Sequence, residues 1–254
     1  MRTISFSNQK GGVAKTTTAL NVSVGLANAG KRVLAIDLDP QSNLSFSLDA
    51  VPDVSEVSLM DVLAGDELLT DALTSIRVGL DLASIGLEGT VADMKFTQMG
   101  REYLLRDALA TVANNYDYCV VDTAPTLNVL TMNALTAADA VIIPVNLDSY
   151  GLQGVSQLNG FIRNIKKFTN QELKIEGVVI TAFDPRAQTS KALEPVVQNA
   201  IQVLDCPILA KIRKSADIGK AQLARRPIYE YAPSSKVAYE YQQLVEVILN
   251  EGEH

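Results

Sequence analysis

Cysteine and histidine are almost missing from this chain of 254 residues: Cys119, Cys206 and His254 are all there are. Two distant thiols without metal-ligand spacing exclude a disulfide framework and a zinc-type cage, and make a reduced, cytoplasmic setting the expectation. His254 is the terminal residue and is assigned no role. No apolar run approaches the ~18 residues that a membrane span needs. Met1-Arg2-Thr3 leads straight into an apolar segment, which leaves no room for a signal peptide.

What is plentiful is apolar content, 47% of residues, with a mean hydropathy of +0.12. That suits one well-filled core, and a single domain over 1–254 is expected. The 22 basic and 29 acidic side chains give a net charge of −7, so the surface as a whole does not attract nucleic acid. The charge is unevenly spread, however. Between Lys211 and Arg226 lie six basic residues and one acid, a local +5 against −12 for the rest.

The stretch Ser7-Asn8-Gln9-Lys10-Gly11-Gly12-Val13-Ala14-Lys15-Thr16-Thr17-Thr18 follows an apolar, β-prone run, Ile4 to Phe6, and precedes a helix-compatible segment, Thr16 to Ala29, that Gly30 can cap. Phosphate oxygens need several converging donors. A glycine-rich turn that opens a helix supplies backbone N–H groups and the positive end of the helix dipole. Lys15 would add a point charge and Thr16 a hydroxyl for Mg²⁺. Against the common GxxxxGK[ST] spacing two glycines are missing, at Gln9 and Ala14.

Strands and helices alternate along the chain, which predicts an α/β fold with a doubly wound, mostly parallel sheet flanked by helices. Two more apolar runs end in acids: Arg32 to Asp37, continuing Leu38-Asp39-Pro40-Gln41, and Tyr118 to Asp122, continuing Thr123-Ala124-Pro125. Ligands of such sheets bind at the carboxyl ends of strands, so Asp37, Asp39 and Asp122 should face the phosphates. Taken alone, a pair of acids closing a strand is also ordinary turn chemistry. Further strands are expected at Leu80 to Ile85, Ala140 to Val145, Ile175 to Phe183 and Ile208 to Ile212. Helices are expected at Ser58 to Ala64, Glu67 to Leu73, Gly100 to Asn114, Asn128 to Ala137, Leu152 to Phe168, Thr189 to Val203 and Val237 to Leu249. Tyr103, Leu104, Ala108 and Val112 should share a face, as should Val155, Leu158, Ile162, Ile165 and Phe168. Arg163, Lys166 and Lys167 fall on the polar side of the latter helix, a solvated cationic patch.

The loop closely resembles the deviant Walker A motif, K-G-G-x-G-K-[ST]-T, of the ParA/MinD superfamily of P-loop NTPases. Asp-x-Asp-Pro-Gln resembles the second motif of that superfamily, and Asp122-Thr123-Ala124-Pro125 its Walker B segment, typically Asp-Thr-Pro-Pro. The resemblance covers most of the chain except roughly residues 51–100, and it looks most like a small ParA-type (Soj-like) partition ATPase. It implies ATP and Mg²⁺ as cofactors. Lys10, Gly11, Gly12, Val13, Ala14, Lys15, Thr16 and Thr17 would then cradle nucleotide, with Thr181, Phe183 and Asp184 at the base. Thr16, Asp37 and Asp122 would serve the metal, and Lys10, Lys15 and Asp39 the chemistry, Asp39 by orienting the attacking water.

In the superfamily the signature lysine, here Lys10, reaches across a nucleotide-sandwiched dimer. A homodimer when ATP-bound is therefore implied. So are nonspecific DNA binding and hydrolysis stimulated by a centromere-binding ParB-type partner, with a cytoplasmic, nucleoid-associated location. The candidate DNA contacts are Arg186, Lys211, Arg213, Lys214, Lys220, Arg225 and Arg226. A positioning ATPase for a protein cargo, served by a cargo adaptor, is the alternative. An amidoligase of the superfamily fits less well, since no cysteine nucleophile arrangement is present. Many relatives carry Ile-Pro-Arg at the last strand end, where this chain has Ile212-Arg213-Lys214. MinD ends in a basic membrane-binding helix, whereas Asn250 to His254 is acidic and would be repelled by anionic lipid, so no membrane partner is expected. Iron proteins of the superfamily need bridging cysteines in loops, which Cys119 and Cys206 do not provide.

Overall fold

Side-chain alternation sorts each strand residue to one side of the sheet. In β2 (Val33–Asp37), Val33 and Ala35 join one apolar cluster while Leu34 and Ile36 join another. Both clusters are buried, which is why the run is apolar throughout and why helices cover both faces. The structure is a computed structural model that describes residues 1–51, 56–147, 151–188, 192, 195, 198, 199, 202 and 204–252.

The eight strands are β1 (Arg2–Phe6), β2, β3 (Thr74–Arg77), β4 (Leu80–Ser84), β5 (Tyr118–Asp122), β6 (Ala140–Asn146), β7 (Lys174–Phe183) and β8 (Ile208–Arg213). They form one sheet in the order β3-β4-β2-β5-β1-β6-β7-β8. Only the β3–β4 pair is antiparallel. One face carries α1 (Lys15–Asn28) and the C-terminal helix α10 (Lys236–Glu251), whose Val237, Tyr241, Leu244, Val245 and Ile248 are all buried. The other face carries α3 (Leu59–Ala64), α5 (Leu104–Val112), α6 (Val129–Ala137) and α7 (Gly151–Phe168). Shorter helices complete the described residues: α2 (Asn43–Ser47), α4 (Ala92–Lys95), α8 (Ala216–Leu223) and α9 (Ile228–Tyr231). None is long and apolar enough to cross a membrane.

Several elements differ from expectation. The segment 67–73 forms only a 3-10 turn, Leu69–Ala72. Strand β3, unforeseen, lies on the sheet edge with two exposed residues and only weak apolar alternation. Helix α5 is shorter than 100–114 and buries Leu105, Leu109 and Val112, leaving Tyr103, Leu104 and Ala108 partly exposed. Its rotation follows from Asn133 of α6, whose Oδ1 accepts the Leu105 N–H at 3.0 Å and whose amide donates to the Arg101 carbonyl at 2.8 Å.

In α7, Leu158, Ile162 and Ile165 form the stripe, but Phe168 is 67% exposed beneath the Lys167 ammonium, 4.9 Å from its ring centre. Phe168 is the last residue of the helix, and beyond it Asn170 donates to the carbonyls of Leu135, Thr136 and Ala138 at the end of α6. The side chain of Val155 and most of the helix expected over 189–203 lie outside the described residues.

Candidate active site

Register brings the chemistry together. Phe6 pairs with Asp122, and Asp122 with Asp37, so the ends of β1, β5 and β2 form one row at the carboxyl edge of the sheet. The loop Ser7–Ala14 leaves from that row. Thr123 Oγ1 donates to the Phe6 carbonyl at 2.9 Å, and Asn8 Nδ2 to the Pro144 carbonyl at 2.6 Å. Asn146 Nδ2 holds the Gly12 carbonyl at 3.1 Å, and Thr181 Oγ1 the Val13 carbonyl at 3.0 Å. With its carbonyls tied down to β6 and β7, the loop is left to present N–H groups to the cleft.

Glycine is needed at position 12, where φ is +74°, whereas Gly11 has open space where a Cβ would stand. Ala14 adopts φ 61°, ψ 33°, the left-handed region, immediately before α1. An L-residue there costs about 1–2 kcal/mol, and lost unfolded-state freedom returns part of it. Ala14→Gly is therefore expected to raise the unfolding free energy by about 0.5–1 kcal/mol, read as a higher urea midpoint at unchanged slope. An unchanged or lower midpoint would show that neighbouring contacts already absorb the strain.

No side chain caps the N-terminus of α1, and no acid lies in its first turn. Its leading N–H groups and dipole therefore favour an anion. The buried Lys15 sends Nζ back to the Lys10 carbonyl at 3.2 Å. Burial pulls its ammonium below the ordinary lysine range, with Asp122 and Asp39 opposing.

The three acids sit differently. Asp37 is fully used: Oδ2 accepts the Ser45 N–H (2.9 Å) and hydroxyl (2.7 Å), and Oδ1 the Asp39 N–H (3.2 Å). Burial still pushes its carboxyl up to about 6. Asp39 accepts the Gln41 N–H at 3.0 Å and lines the cleft. Asp122 is 0% exposed, yet neither carboxylate oxygen has a hydrogen-bond partner among the described residues. Burial, then the neighbouring Asp37, raises its carboxyl well above the usual range, with the Thr16 hydroxyl and Lys15 acting the other way. A buried orphan carboxylate costs several kcal/mol unless a cation faces it. The oxygen-rich pair Thr16 and Asp122 suits a hard divalent ion that keeps its water.

A cleft of about 550 Å³ opens over this row, bounded by the loop, Asp39, Asn43 and Phe46 on one side and Gln222 and Leu223 of α8 on the other. Thus Gly11, Gly12, Ala14, Lys15, Thr16, Thr17 and Asp39 meet as expected, while buried Val13 supports from behind. Thr181 lies under the loop. Phe183 sits below the Lys211 ammonium (5.4 Å), and Asp184 closes a turn by accepting the Arg186 N–H at 2.9 Å. None of those three residues lines the phosphate cleft.

Of the basic candidates, Arg186, Lys211, Lys214 and Lys220 are exposed. Arg213 is bound by Glu240, Arg226 by Glu230 and Arg225 by Asp49. Sequence reading missed Asn8, Ser45, Asn146 and Gln222. Only Asn146 gave a signal, a polar residue closing the apolar run of β6.

A uniform-facing phosphate loop, a lysine at the helix start and acids ending two neighbouring strands define a P-loop nucleoside-triphosphatase. A family model described as "AAA domain" matches residues 1–175. The sporulation initiation inhibitor protein Soj of Bacillus subtilis is 37% identical over 252 residues, 98% of this chain and 98% of its own. The chromosome partitioning protein ParA of Caulobacter vibrioides is 38% identical over 229 residues, 83% of this chain and 85% of its own. Among solved structures, cobyrinic acid a,c-diamide synthase from Mycobacterium smegmatis with bound ADP and magnesium superposes with a TM-score of 0.87 at 34% identity, over 100% of this chain and 96% of that one. The chain belongs to the ParA/Soj family of P-loop ATPases.

Proposed function

We propose that this chain is an ATP-dependent dimerising ATPase that binds DNA nonspecifically and drives plasmid or chromosome partition. The observation that carries the nucleotide chemistry is the orphaned Asp122 carboxylate beside Thr16, at the mouth of an uncapped helix. Thr16 and Asp122 would hold Mg²⁺, with Asp37 bracing the turn between β2 and α2 that carries Asp39. When bound, the ion neutralises charge developing on the phosphates.

Lys15 and the N–H groups from Gly11 to Thr17 bind the phosphates. Asp39, steadied by Gln41, orients water for in-line attack on the terminal phosphate. Lys10, at the outer end of the loop, serves the nucleotide of a second copy, so ATP favours the dimer through a contact made only there. A centromere-binding ParB-type protein would raise turnover, and the chain would act in the cytoplasm at the nucleoid.

An amide-forming activity like that named for the mycobacterial relative has less support. Cys119 is buried in β5, Cys206 lies between β7 and β8, and neither lines the cleft. Cargo positioning by the same cycle uses the same site.

Sedimentation with ADP, ATP and ATP plus DNA tests the whole reading. Wild type is expected to dimerise with ATP and to join DNA only then. Asp39→Ala should retain the ATP dimer and lose turnover. Equal turnover in the two proteins would remove Asp39 from the chemistry, and failure of ATP to shift the wild type would remove the dimer.

A further inference from the structure

Arg225 does not project freely from the basic segment. Its guanidinium lies 4.2 Å above the centre of the Phe46 ring and binds Asp49 Oδ1 at 2.5 Å. Phe46 belongs to α2 and Asp49 follows it, so the contact joins the chain just after α8 to the opposite wall of the phosphate cleft. Gln222 makes a second tie, donating to Thr17 Oγ1 at 2.9 Å. Both ends of the Arg225 contact are non-glycine residues in the left-handed region, Asp49 at φ 55° and Arg225 at φ 50°. The pair remains wet, with side chains 48% and 71% exposed.

We infer that Asp49 and Phe46 form an internal clasp that competes with DNA phosphate for Arg225. This rests on the DNA-binding reading above and adds to it that one of the cations is withheld until the clasp opens. A carboxylate oxygen and a phosphate oxygen ask for the same guanidinium donors, so Arg225 serves one at a time. An exposed ion pair and a stacked guanidinium are individually weak, so the clasp tunes DNA affinity and does not abolish it, by roughly three- to tenfold.

The test is a double-mutant cycle of Asp49→Asn and Arg225→Gln, read as affinity for a random-sequence duplex with ATP and Mg²⁺ across a salt series. Asparagine keeps tolerance of the left-handed region at position 49 while removing the charge. Asp49→Asn is expected to tighten binding roughly two- to fivefold and to steepen the salt dependence by about one phosphate contact per protomer. Both effects should vanish in the Arg225→Gln background. An equal gain in both backgrounds would mean that Asp49 acts only by general repulsion, and would overturn the clasp, as would no gain at all.

The chain has no tryptophan, so Phe46→Trp supplies a single reporter ring. Its emission should change on adding Arg225→Gln, and indifference to that change would also overturn the clasp. Wild-type binding without an Arg225-dependent gain removes the clasp alone. Absence of DNA binding in wild type and Asp49→Asn alike, at low salt with ATP, removes the DNA reading and the clasp with it.

Discussion

Asp122→Asn is expected to make the nucleotide-free protein more stable while lowering Mg²⁺-dependent ATP turnover at least about a hundredfold. The two effects share one cause. Asp122 is a fully buried carboxylate with neither oxygen hydrogen-bonded among the described residues, and Lys15 offsets only part of the burial cost, so at neutral pH the fold either carries a poorly compensated charge or takes up a proton. The isosteric amide removes that cost, about 1–3 kcal/mol, and with it the carboxylate proposed to face the metal.

The pH dependence carries a definite sign. A carboxyl whose folded pKa is raised binds its proton more tightly in the native state, so stability falls as pH rises through the interval between the unfolded and folded values. For Asp37 that interval runs from the usual carboxylate range to about 6, and Asp122 shifts in the same direction further. Thermal unfolding in EDTA should show wild type losing stability from about pH 4 through 6 and above, with a flatter profile for Asp122→Asn. A variant less stable than wild type at pH 8 would show that the carboxylate is compensated in the free protein.

Lys15→Ala should abolish ATP binding, with affinity falling by two orders of magnitude or more by equilibrium dialysis. The ammonium is the one buried cation at the head of α1, and removing it leaves Asp39 and Asp122 facing the incoming phosphates without a counter-charge. Lys15→Arg is not an equivalent replacement, because the wider guanidinium cannot take the place of a point charge folded back toward the Lys10 carbonyl. Retained affinity in Lys15→Ala would shift the phosphate-binding role to the backbone N–H groups alone.

Much of this site could be read in advance because its residues announce themselves locally. A carboxylate closing a wholly apolar strand is conspicuous at Asp37 and Asp122, and the glycine pair before Lys15 has a spacing that the phosphate dictates. The way the loop is supported was not legible, although Asn146 closes an apolar strand and Thr181 was expected at the base. Asn146 and Thr181 meet Gly12 and Val13 across more than 130 residues, and no local pattern encodes a contact that depends on strand order. Ser45 could not be anticipated either, since its role exists only after α2 turns back on Asp37.

The rotation of α5 was misread for a related reason. Its apolar residues fit more than one face, and Asn133 of a different helix selects among them. The clasp at Arg225 also escaped notice, because the acid that holds it lies 176 positions away.

The dependence of the phosphate loop on β6 and β7 has a consequence for the growing polypeptide. When residues 1–139 have left the ribosome, Lys15, Asp39 and Asp122 are all available, and β1, β2 and β5 can form their row. The anchors for the Gly12 and Val13 carbonyls, Asn146 and Thr181, have not yet been made or have not yet docked. A ribosome-bound chain is therefore expected to acquire its grip on ATP late in translation, when the half that shapes the loop arrives.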